Sequence, residues 1–112
     1  MWKDYIKERE NLETLETEHG FLTYEIYDDI CFMSDIYIKP EFRNTKAAFK
    51  LFSAVKEEAV SQGCVFIRGQ VDSSCIGWEK SLSYMKRLGF REFHIDNNLT
   101  YLQLKLYNVR GI

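Results

Sequence analysis

The segment that decides the fold is Ile36-Tyr37-Ile38-Lys39-Pro40-Glu41-Phe42-Arg43-Asn44-Thr45-Lys46-Ala47-Ala48, in which a strand passes through a proline into a helix. The residues before it, 30–38, are mostly β-branched, aromatic or apolar and predict a strand that ends at Lys39-Pro40. Asn44 or Thr45 is suited to cap the helix that follows. Apolar side chains then recur at helical spacing until a stop at Gln62-Gly63, namely Ala48, Leu51, Phe52, Val55 and Ala59.

The sequence on either side of this segment extends the pattern. Residues 64–71 predict a second strand directly after the helix, and a strand, helix and strand with short joints form a βαβ unit with parallel strands. Upstream, residues 20–27 pair with 30–38 as a hairpin across the turn Asp28-Asp29. Downstream, a helix is predicted from Trp78 to Leu88. Its inner face would carry Trp78, Ser81, Leu82, Met85 and Leu88.

Two further elements complete the predicted chain. Residues 90–95 and 99–106, joined through Asp96-Asn97-Asn98, are typical of a closing hairpin. At the other end, residues 2–13 predict an amphipathic helix that frays through Leu12–Leu15. The order α-β-β-α-β-α-β-β indicates an α/β (α+β) fold: a mixed central sheet with a βαβ core, flanking helices and a C-terminal hairpin, all in one domain over residues 1–112.

Composition restricts the class of protein. The 112 residues are 46% hydrophobic and 15% aromatic, which is typical of one globular domain and excludes a disordered chain. Three cysteines without a CxxC pair favour a reducing compartment, and we expect a cytoplasmic protein. No apolar run approaches the roughly 20 residues of a membrane span, and no signal peptide is predicted.

Charge is segregated along the chain although the formal net charge is only −2. Residues 1–38 contain ten acidic and three basic side chains, whereas residues 39–91 contain ten basic and five acidic ones. The small total argues against a nucleic-acid partner. The basic middle segment suits an anionic ligand, although solvated helix faces produce similar counts.

Common catalytic motifs do not occur in the sequence. There is no GxSxG, phosphate-binding loop or dinucleotide-binding motif, and no metal site is predicted because His19 and His94 have no partner spacing. We interpret both histidines as turn or strand-surface residues. Cys31, Cys64 and Cys75 are each expected to be small buried apolar residues, and only Cys75, in a loop, has a position that would permit exposure.

Bases are concentrated at the start of the predicted helix that follows Asn44-Thr45. Arg43, Lys46 and Lys50 lie where the helix dipole disfavours cations, and the unpaired N–H groups of a helix N-terminus bind anions. A bound anion explains this placement. The alternative is that these are surface side chains tolerated at a cost of roughly 0.3–1 kcal/mol each.

At this point the sequence resembles the Gcn5-related N-acetyltransferase (GNAT) superfamily over residues 18–106. The family pattern of an apolar-Tyr strand, Pro and Arg before a helix matches Ile36–Ala48, and its Lys-Leu-Gly-Phe helix end matches Lys86-Arg87-Leu88-Gly89-Phe90. The resemblance implies acetyl-coenzyme A (acetyl-CoA) as co-substrate and an amine as acceptor. It places the acetyl group between strands 30–38 and 64–71.

The same resemblance implies roles for particular residues. The pantetheine arm would pair with the backbone of Ile36, Tyr37 and Ile38, and the pyrophosphate would bind at the helix start. Asp35 or Glu25 would be the carboxylate near the acceptor amine, and Tyr84 the proton donor to the leaving thiolate. The remaining residues implied in coenzyme binding are Arg43, Asn44, Thr45, Lys46, Ala47, Ala48 and Phe49.

The sequence also departs from the family pattern. Asn44 and Lys46 stand where the family prefers glycine, Trp78 stands at a usual asparagine, and Met85 at the usual tyrosine, with Tyr84 about 100° away around the helix. The family's first strand and helix pair is expected to be reduced to one helix. These departures leave alternatives open: a non-catalytic binding or structural protein of this fold, with motifs that resemble those of phages or mobile elements, or an unrelated α+β domain. A shortened N-terminal part would also leave part of the sheet uncovered, which a homodimer would bury.

Overall fold

A computed structural model describes residues 12–43 and 45–106. Six strands form one mixed sheet in the order β1-β2-β3-β4-β6-β5. Only the β3–β4 pair is parallel, as the βαβ unit predicts. The strands are β1 (Glu13–Thr17), β2 (Gly20–Tyr27), β3 (Ile30–Ile38), β4 (Phe66–Asp72), β5 (Arg91–Asp96) and β6 (Leu99–Lys105); the helices are α1 (Ala47–Ser61) and α2 (Trp78–Arg87), with a 3₁₀ turn at Pro40–Phe42. The predicted fold class is confirmed.

The first hairpin has the bounds that the sequence predicts. Strands β2 and β3 pair antiparallel across Asp28-Asp29, and Asp28 takes the left-handed backbone conformation with φ of 57°. Aspartate and asparagine tolerate this region better than most side chains, which explains their place in tight turns. Asn97, with φ of 54°, does the same between β5 and β6.

Helix α1 covers the middle of the sheet with one apolar face. The N-cap is Lys46, one residue after the predicted Thr45, and it makes no side-chain capping bond; Thr45 contacts the helix start instead, since the Ala47 N–H donates to Thr45 Oγ1 at 3.1 Å. The helix ends where predicted, and Gly63 then takes a φ of 82°. Its buried side chains are Ala47, Leu51, Phe52, Val55 and Ala59, so Ala47 replaces the predicted Ala48 as the most buried residue of the first turn.

The predicted helix over residues 2–13 falls mostly outside the described residues, but its end is wrong. Glu13 is the first residue of β1, so residues 13–15 are an extended strand and not the frayed end of a helix. Strand β1 pairs antiparallel with β2 from Glu13↔Tyr24 to Thr17↔Gly20, and this pairing satisfies backbone groups that a helix would satisfy locally. A strand therefore stands where the sequence predicts the end of a helix. Gly20 is required beside it, because a Cβ there would lie 2.0 Å from the Tyr37 carbonyl oxygen.

One hydrophobic core fills the space between the sheet and the two helices. Leu22, Ile67 and Leu102 supply its sheet side and are almost fully buried. Burial of such side chains is worth about 1.5–3 kcal/mol each, so this face of the sheet drives folding. Within the described residues, no helix combines the length and the apolar character needed to cross a membrane.

Candidate active site

The two parallel strands separate soon after they begin. They pair only at Ile30↔Phe66, Cys31↔Ile67 and Phe32↔Arg68. Immediately afterwards β3 contains a bulge against β2, because Tyr24 faces Met33 and Thr23 faces Asp35, leaving Ser34 as an extra residue. A bulge bends its strand and increases the local twist. The rest of β3 therefore diverges from β4 and opens a gap in the sheet, which we call the splay.

The splay exposes backbone groups on one edge of β3. Lys39 N–H donates to the His19 carbonyl oxygen at 2.9 Å, so the backbone N–H of Lys39 faces the edge of the chain that pairs with β2. Because alternate residues of a strand direct their backbone groups to opposite edges, the N–H and C=O groups of Ile36 and Ile38 face the splay. An extended ligand could thus pair with this edge as an additional strand would.

A first cleft of about 260 Å³ extends from the splay between the two helices. Its walls come from both diverging strands and from both helices. Ala48 and Phe52 of α1 stand on one side, and Tyr84 and Met85 of α2 on the other. The lining is largely apolar, as expected for a site that holds the non-charged part of a ligand.

A second cleft of about 730 Å³ opens on the other side of the splay. Strands β3, β4, β5 and β6 all contribute to it, and its lining is more polar. Both clefts are lined by the same set of residues at the splay, which therefore lies between them: Met33, Ser34, Asp35, Gly69 and Gln70. The outer lining of the second cleft is Phe32, Arg68, Phe93, His94 and Tyr101.

The N-terminus of α1 lies beyond the end of β3. The first intrahelical bond that the structure gives runs from Lys50 N–H to Lys46 C=O at 2.9 Å, so the amides of Ala48 and Phe49 precede it. Such amides, together with the positive end of the helix dipole, attract anions. Lys46 is exposed and has a φ of −85°, which any side chain adopts, so the backbone here does not require glycine. Asn44 lies outside the described residues.

Arg43 connects the helix start to the end of β3. Its Nε–H donates to the Ile38 carbonyl oxygen at 3.0 Å, and its guanidinium lies 5.7 Å from the centre of the Tyr37 ring. The arginine therefore fixes the Pro40–Phe42 turn to the strand and already occupies one of the backbone acceptors that face the splay. Its remaining donors stay exposed beside α1.

The three predicted catalytic residues lie in different places. Asp35 lines both clefts, and its backbone N–H donates to Thr23 Oγ1 at 3.0 Å. Tyr84 lines the first cleft, where burial raises the pKa of its hydroxyl and the nearby Arg87 partly opposes that shift. Glu25 lies on β2 opposite Phe32 and lines neither cleft. The structure thus brings Asp35 and Tyr84 together at the first cleft.

The expected burial is confirmed for two of the three cysteines. Cys31 and Cys64 are buried and Cys75 is exposed, and none forms a disulfide. Burial raises the pKa of the Cys31 thiol to about 12, with a contribution from Cys64. His19 lies at the β1–β2 turn and His94 on β5. Across residues 12–43 and 45–106, no group of three or more His, Cys, Asp and Glu side chains is placed to hold a metal ion.

Several residues of the second cleft were not identified from the sequence. Arg68 and Gln70 were treated only as strand residues, and His94 and Tyr101 as parts of a hairpin. One signal was available: Arg68 and Gln70 alternate with the apolar Ile67 and Val71, which places polar side chains on the face opposite the core. Their convergence with β5 was not predictable, because it depends on strand order.

Comparison with solved structures gives the class of fold. The N-acetyltransferase PaiA from Thermoplasma acidophilum, in complex with coenzyme A, superposes with a TM-score of 0.74 at 18% identity, over 90% of this chain and 66% of that one. A Bacillus subtilis acetyltransferase in complex with coenzyme A gives 0.72 at 18% identity, over 94% and 84%. The Escherichia coli ribosomal-protein-S18-alanine N-acetyltransferase gives 0.68 at 14% identity, over 86% and 70%. The chain therefore has the acetyltransferase fold.

The sequence itself matches a family. The profile of the Acetyltransferase (GNAT) family aligns with residues 19–90, which include the splay, α1 and α2. The chain belongs to the GNAT acetyltransferase family, and the resemblance read from its motifs is confirmed. Against four of the matched structures it spans only 57–66% of the other protein's length. No curated protein matches the sequence significantly.

Proposed function

We propose that this protein is an acetyl-CoA-dependent N-acetyltransferase that transfers an acetyl group to an amine. The observation that carries the proposal is the splay, because two clefts meet at it and both are lined by Asp35 and Gly69. A thioester and an amine need to approach one another from different directions, and two adjacent clefts permit this. Family membership and the matched enzymes that hold coenzyme A support the same chemistry.

The proposed coenzyme site follows the first cleft. The pantetheine arm would pair with the open edge of β3 at Ile36–Ile38, and the acetyl group would lie in the splay. The pyrophosphate would bind at the start of α1, where Lys46 and the amides of Ala48 and Phe49 are accessible to an anion. Arg43 and Thr45 would act mainly by holding this helix start in place, since both already make backbone contacts. Asn44 and Tyr37 stay in the proposed site on the motif alone.

Two side chains would take part in the two proton transfers of the reaction. The amine nitrogen attacks the thioester carbon, the C–S bond breaks, and the nitrogen loses a proton while the sulfur gains one. We propose Asp35, directly or through water, as the acceptor of the first proton and Tyr84 as the donor of the second. Burial raises the pKa of Tyr84, so its hydroxyl stays protonated at neutral pH as a donor requires. Glu25 is less well placed, because it lines neither cleft.

Thermal unfolding with acetyl-CoA tests the coenzyme site. Ligand at a hundredfold excess over its dissociation constant should stabilise the protein by roughly 2.7 kcal/mol. Lys46→Glu should abolish this shift by repelling the pyrophosphate, whereas Lys56→Glu, an exposed position further along α1, should preserve it. No shift with the unmodified protein at millimolar acetyl-CoA would refute coenzyme binding. An unchanged shift in Lys46→Glu would move the phosphate site elsewhere.

The alternative is a non-catalytic protein of this fold. It is favoured by Met85, which stands at the position of the usual tyrosine and packs its methyl group toward Gly69, where a Cβ would lie 2.8 Å from Met85 Cε. A thiol-release assay with a range of amines separates the two functions. Release of free coenzyme A that depends on an amine supports the enzyme, and tight acetyl-CoA binding without any release supports the alternative.

Other expectations stay predictions. The unpaired cysteines agree with a reducing compartment, for which the cytoplasm is the proposal. Neither a nucleic-acid partner nor a membrane partner is proposed, and residues 1–112 are proposed to form one domain. Self-association is tested by light scattering: a dimer would give twice the 13.3 kDa of one chain, and a strict monomer at high concentration would contradict it.

A further inference from the structure

Arg68 is an unusual side chain for a cleft that is meant to receive an amine. It lies on β4 at the last residue that pairs with β3, and it lines the second cleft beside Asp35. An ammonium group approaching this cleft would be repelled by a guanidinium, unless the same molecule also carries a negative group. The charge of Arg68 therefore bears on the identity of the acceptor.

The surroundings of Arg68 hold it rigidly. Its Nε–H donates to Gln103 Oε1 at 3.1 Å, and its guanidinium carbon lies 5.0 Å from the centre of the Phe93 ring and 6.0 Å from that of Phe66. Among the described residues, no carboxylate forms an ion pair with it. An arginine has five N–H donors, so four remain for a ligand. A half-buried guanidinium with four unused donors and no ion pair within residues 12–43 and 45–106 is suited to bind an anion.

Aromatic rings form the wall next to this arginine. Strand β5 has a bulge at Phe93, since Glu92 faces Leu102 while His94 faces Tyr101. The extra residue brings two rings onto Tyr101, with centroid distances of 6.4 Å to Phe93 and 5.6 Å to His94. Phe93 remains 47% exposed, which is a large apolar area to leave open beside a charged group. Such a wall suits an apolar or aromatic side chain.

We propose that the acceptor is an amine that also carries a carboxylate, namely an amino acid with an apolar side chain. Arg68 would bind the carboxylate, Asp35 would attract the amino group toward the splay, and the Phe93–Tyr101 wall would contact the side chain. A carboxylate matches one guanidinium through two parallel hydrogen bonds, whereas the charge of Asp35 in the same cleft opposes a doubly charged phosphate. The inference rests on the proposed function, because it names the acceptor of that reaction.

Binding measurements test it without requiring turnover. Phenylalanine, leucine and methionine are each compared with the amine that lacks the carboxylate, by ¹⁵N NMR titration that follows the Arg68 Nε–H signal. At least one amino acid should bind about 10- to 100-fold more tightly than its decarboxylated partner and shift that signal, as charge-assisted hydrogen bonds imply. Equal affinity within every pair, or no binding by any of the three amino acids, overturns the inference.

Substitution of the arginine gives the matched control. Arg68→Met keeps the apolar stem but removes the charge, so it should lose the preference for the carboxylate and raise the acceptor KM by a similar factor. Arg91→Met, an exposed position on β5 that lines neither cleft, should keep both values. A preference that persists in Arg68→Met refutes the role of this side chain.

The two proposals fail in different ways. If acetyl-CoA neither stabilises the protein nor releases thiol, the proposed function fails even where the amino acids bind through Arg68. If acetyl-CoA binds and only amines without a carboxylate are acetylated, the function stands and the inference about the acceptor is wrong. An unchanged KM for acetyl-CoA in Arg68→Met shows that the substitution acts on the acceptor side alone.

Discussion

Ser34 is the residue on which the shape of the site depends. It is the extra residue in β3 between the partners of Tyr24 and Thr23, and the pairing of β3 with β4 stops two residues before it. The bulge bends β3 and inverts the alternation of its side chains, because Met33 and Asp35 pair with the successive residues Tyr24 and Thr23. Met33 therefore meets the core, whereas Asp35 takes the opposite face and lines the second cleft. A single inserted residue thus separates two strands that would otherwise continue as a closed parallel pair.

Deletion of Ser34 tests this assignment. Because Met33↔Tyr24 and Asp35↔Thr23 would then follow in regular register, we expect a folded protein in which β3 stays closer to β4. The splay would narrow, and acetyl-CoA should no longer raise the melting temperature. Far-UV circular dichroism confirms that the variant folds. A folded deletion variant with the full acetyl-CoA shift would show that the bulge does not create the site.

At the scale of single elements, helix α2 positions the proposed proton donor Tyr84. Gly77, with φ of 85°, starts the helix, and Gly89, with φ of 107°, ends it, so both ends require a conformation that glycine adopts easily. Between them Tyr84 and Met85 both line the first cleft, although they are successive residues. The cleft spans enough of the circumference of the helix to include both side chains. Tyr84 therefore lines the cleft although it stands one position away from the tyrosine of the family pattern.

Tyr84→Phe should lower kcat about 10²-fold or more while the KM for acetyl-CoA changes little, since only the proton for the leaving thiolate is lost. The raised pKa of the hydroxyl predicts that Tyr84 remains a competent donor until the pH exceeds about 10, the ordinary tyrosine value. Tyr27→Phe removes an exposed hydroxyl from β2 and serves as the control. Full kcat in Tyr84→Phe would assign the proton to water instead.

On the scale of the whole molecule, one face of the sheet supplies stability and the splay supplies the site. The core between the sheet and the helices includes Cys31 and Cys64, whose thiols have raised pKa values because burial disfavours the thiolate. A folded-state pKa above the unfolded one means that the unfolded chain loses protons first as the pH rises. The stability from these thiols is therefore complete below pH 9 and declines above it.

This linkage predicts an alkaline loss of stability. For Cys31, with a pKa of about 12 when folded against an ordinary value of 9.0, the free energy of unfolding should fall by about 1.4 kcal/mol per pH unit between those values. Urea unfolding at pH 8 and pH 10 should show this decrease in the unmodified protein and in Cys75→Ala. The decrease should be smaller by about that amount in Cys31→Ala. Identical decreases in all three would contradict the burial of the Cys31 thiol.

Most of the secondary-structure elements and the family were predictable from the sequence alone. Alternation of apolar residues predicted the bounds of β2 and β3, helical spacing predicted α1 up to its end, and the strand–proline–arginine–helix segment indicated the GNAT family. These signals are local: each depends on residues that are neighbours along the chain. The same locality explains the error at residues 12–15, where pairing with β2 outweighs a helical pattern that continues from residues 2–11.

The position of the proposed site depends on contacts between strands that are distant in the sequence. The bulges at Ser34 and Phe93 are properties of strand pairs, and the strand order β3-β4-β6-β5 is what makes Arg68, Asp35 and Tyr101 line one cleft. No periodicity in a single segment records which strands become neighbours or where their register shifts, since those choices minimise the free energy of the whole sheet and core. The two clefts and their charges are consequences of that choice.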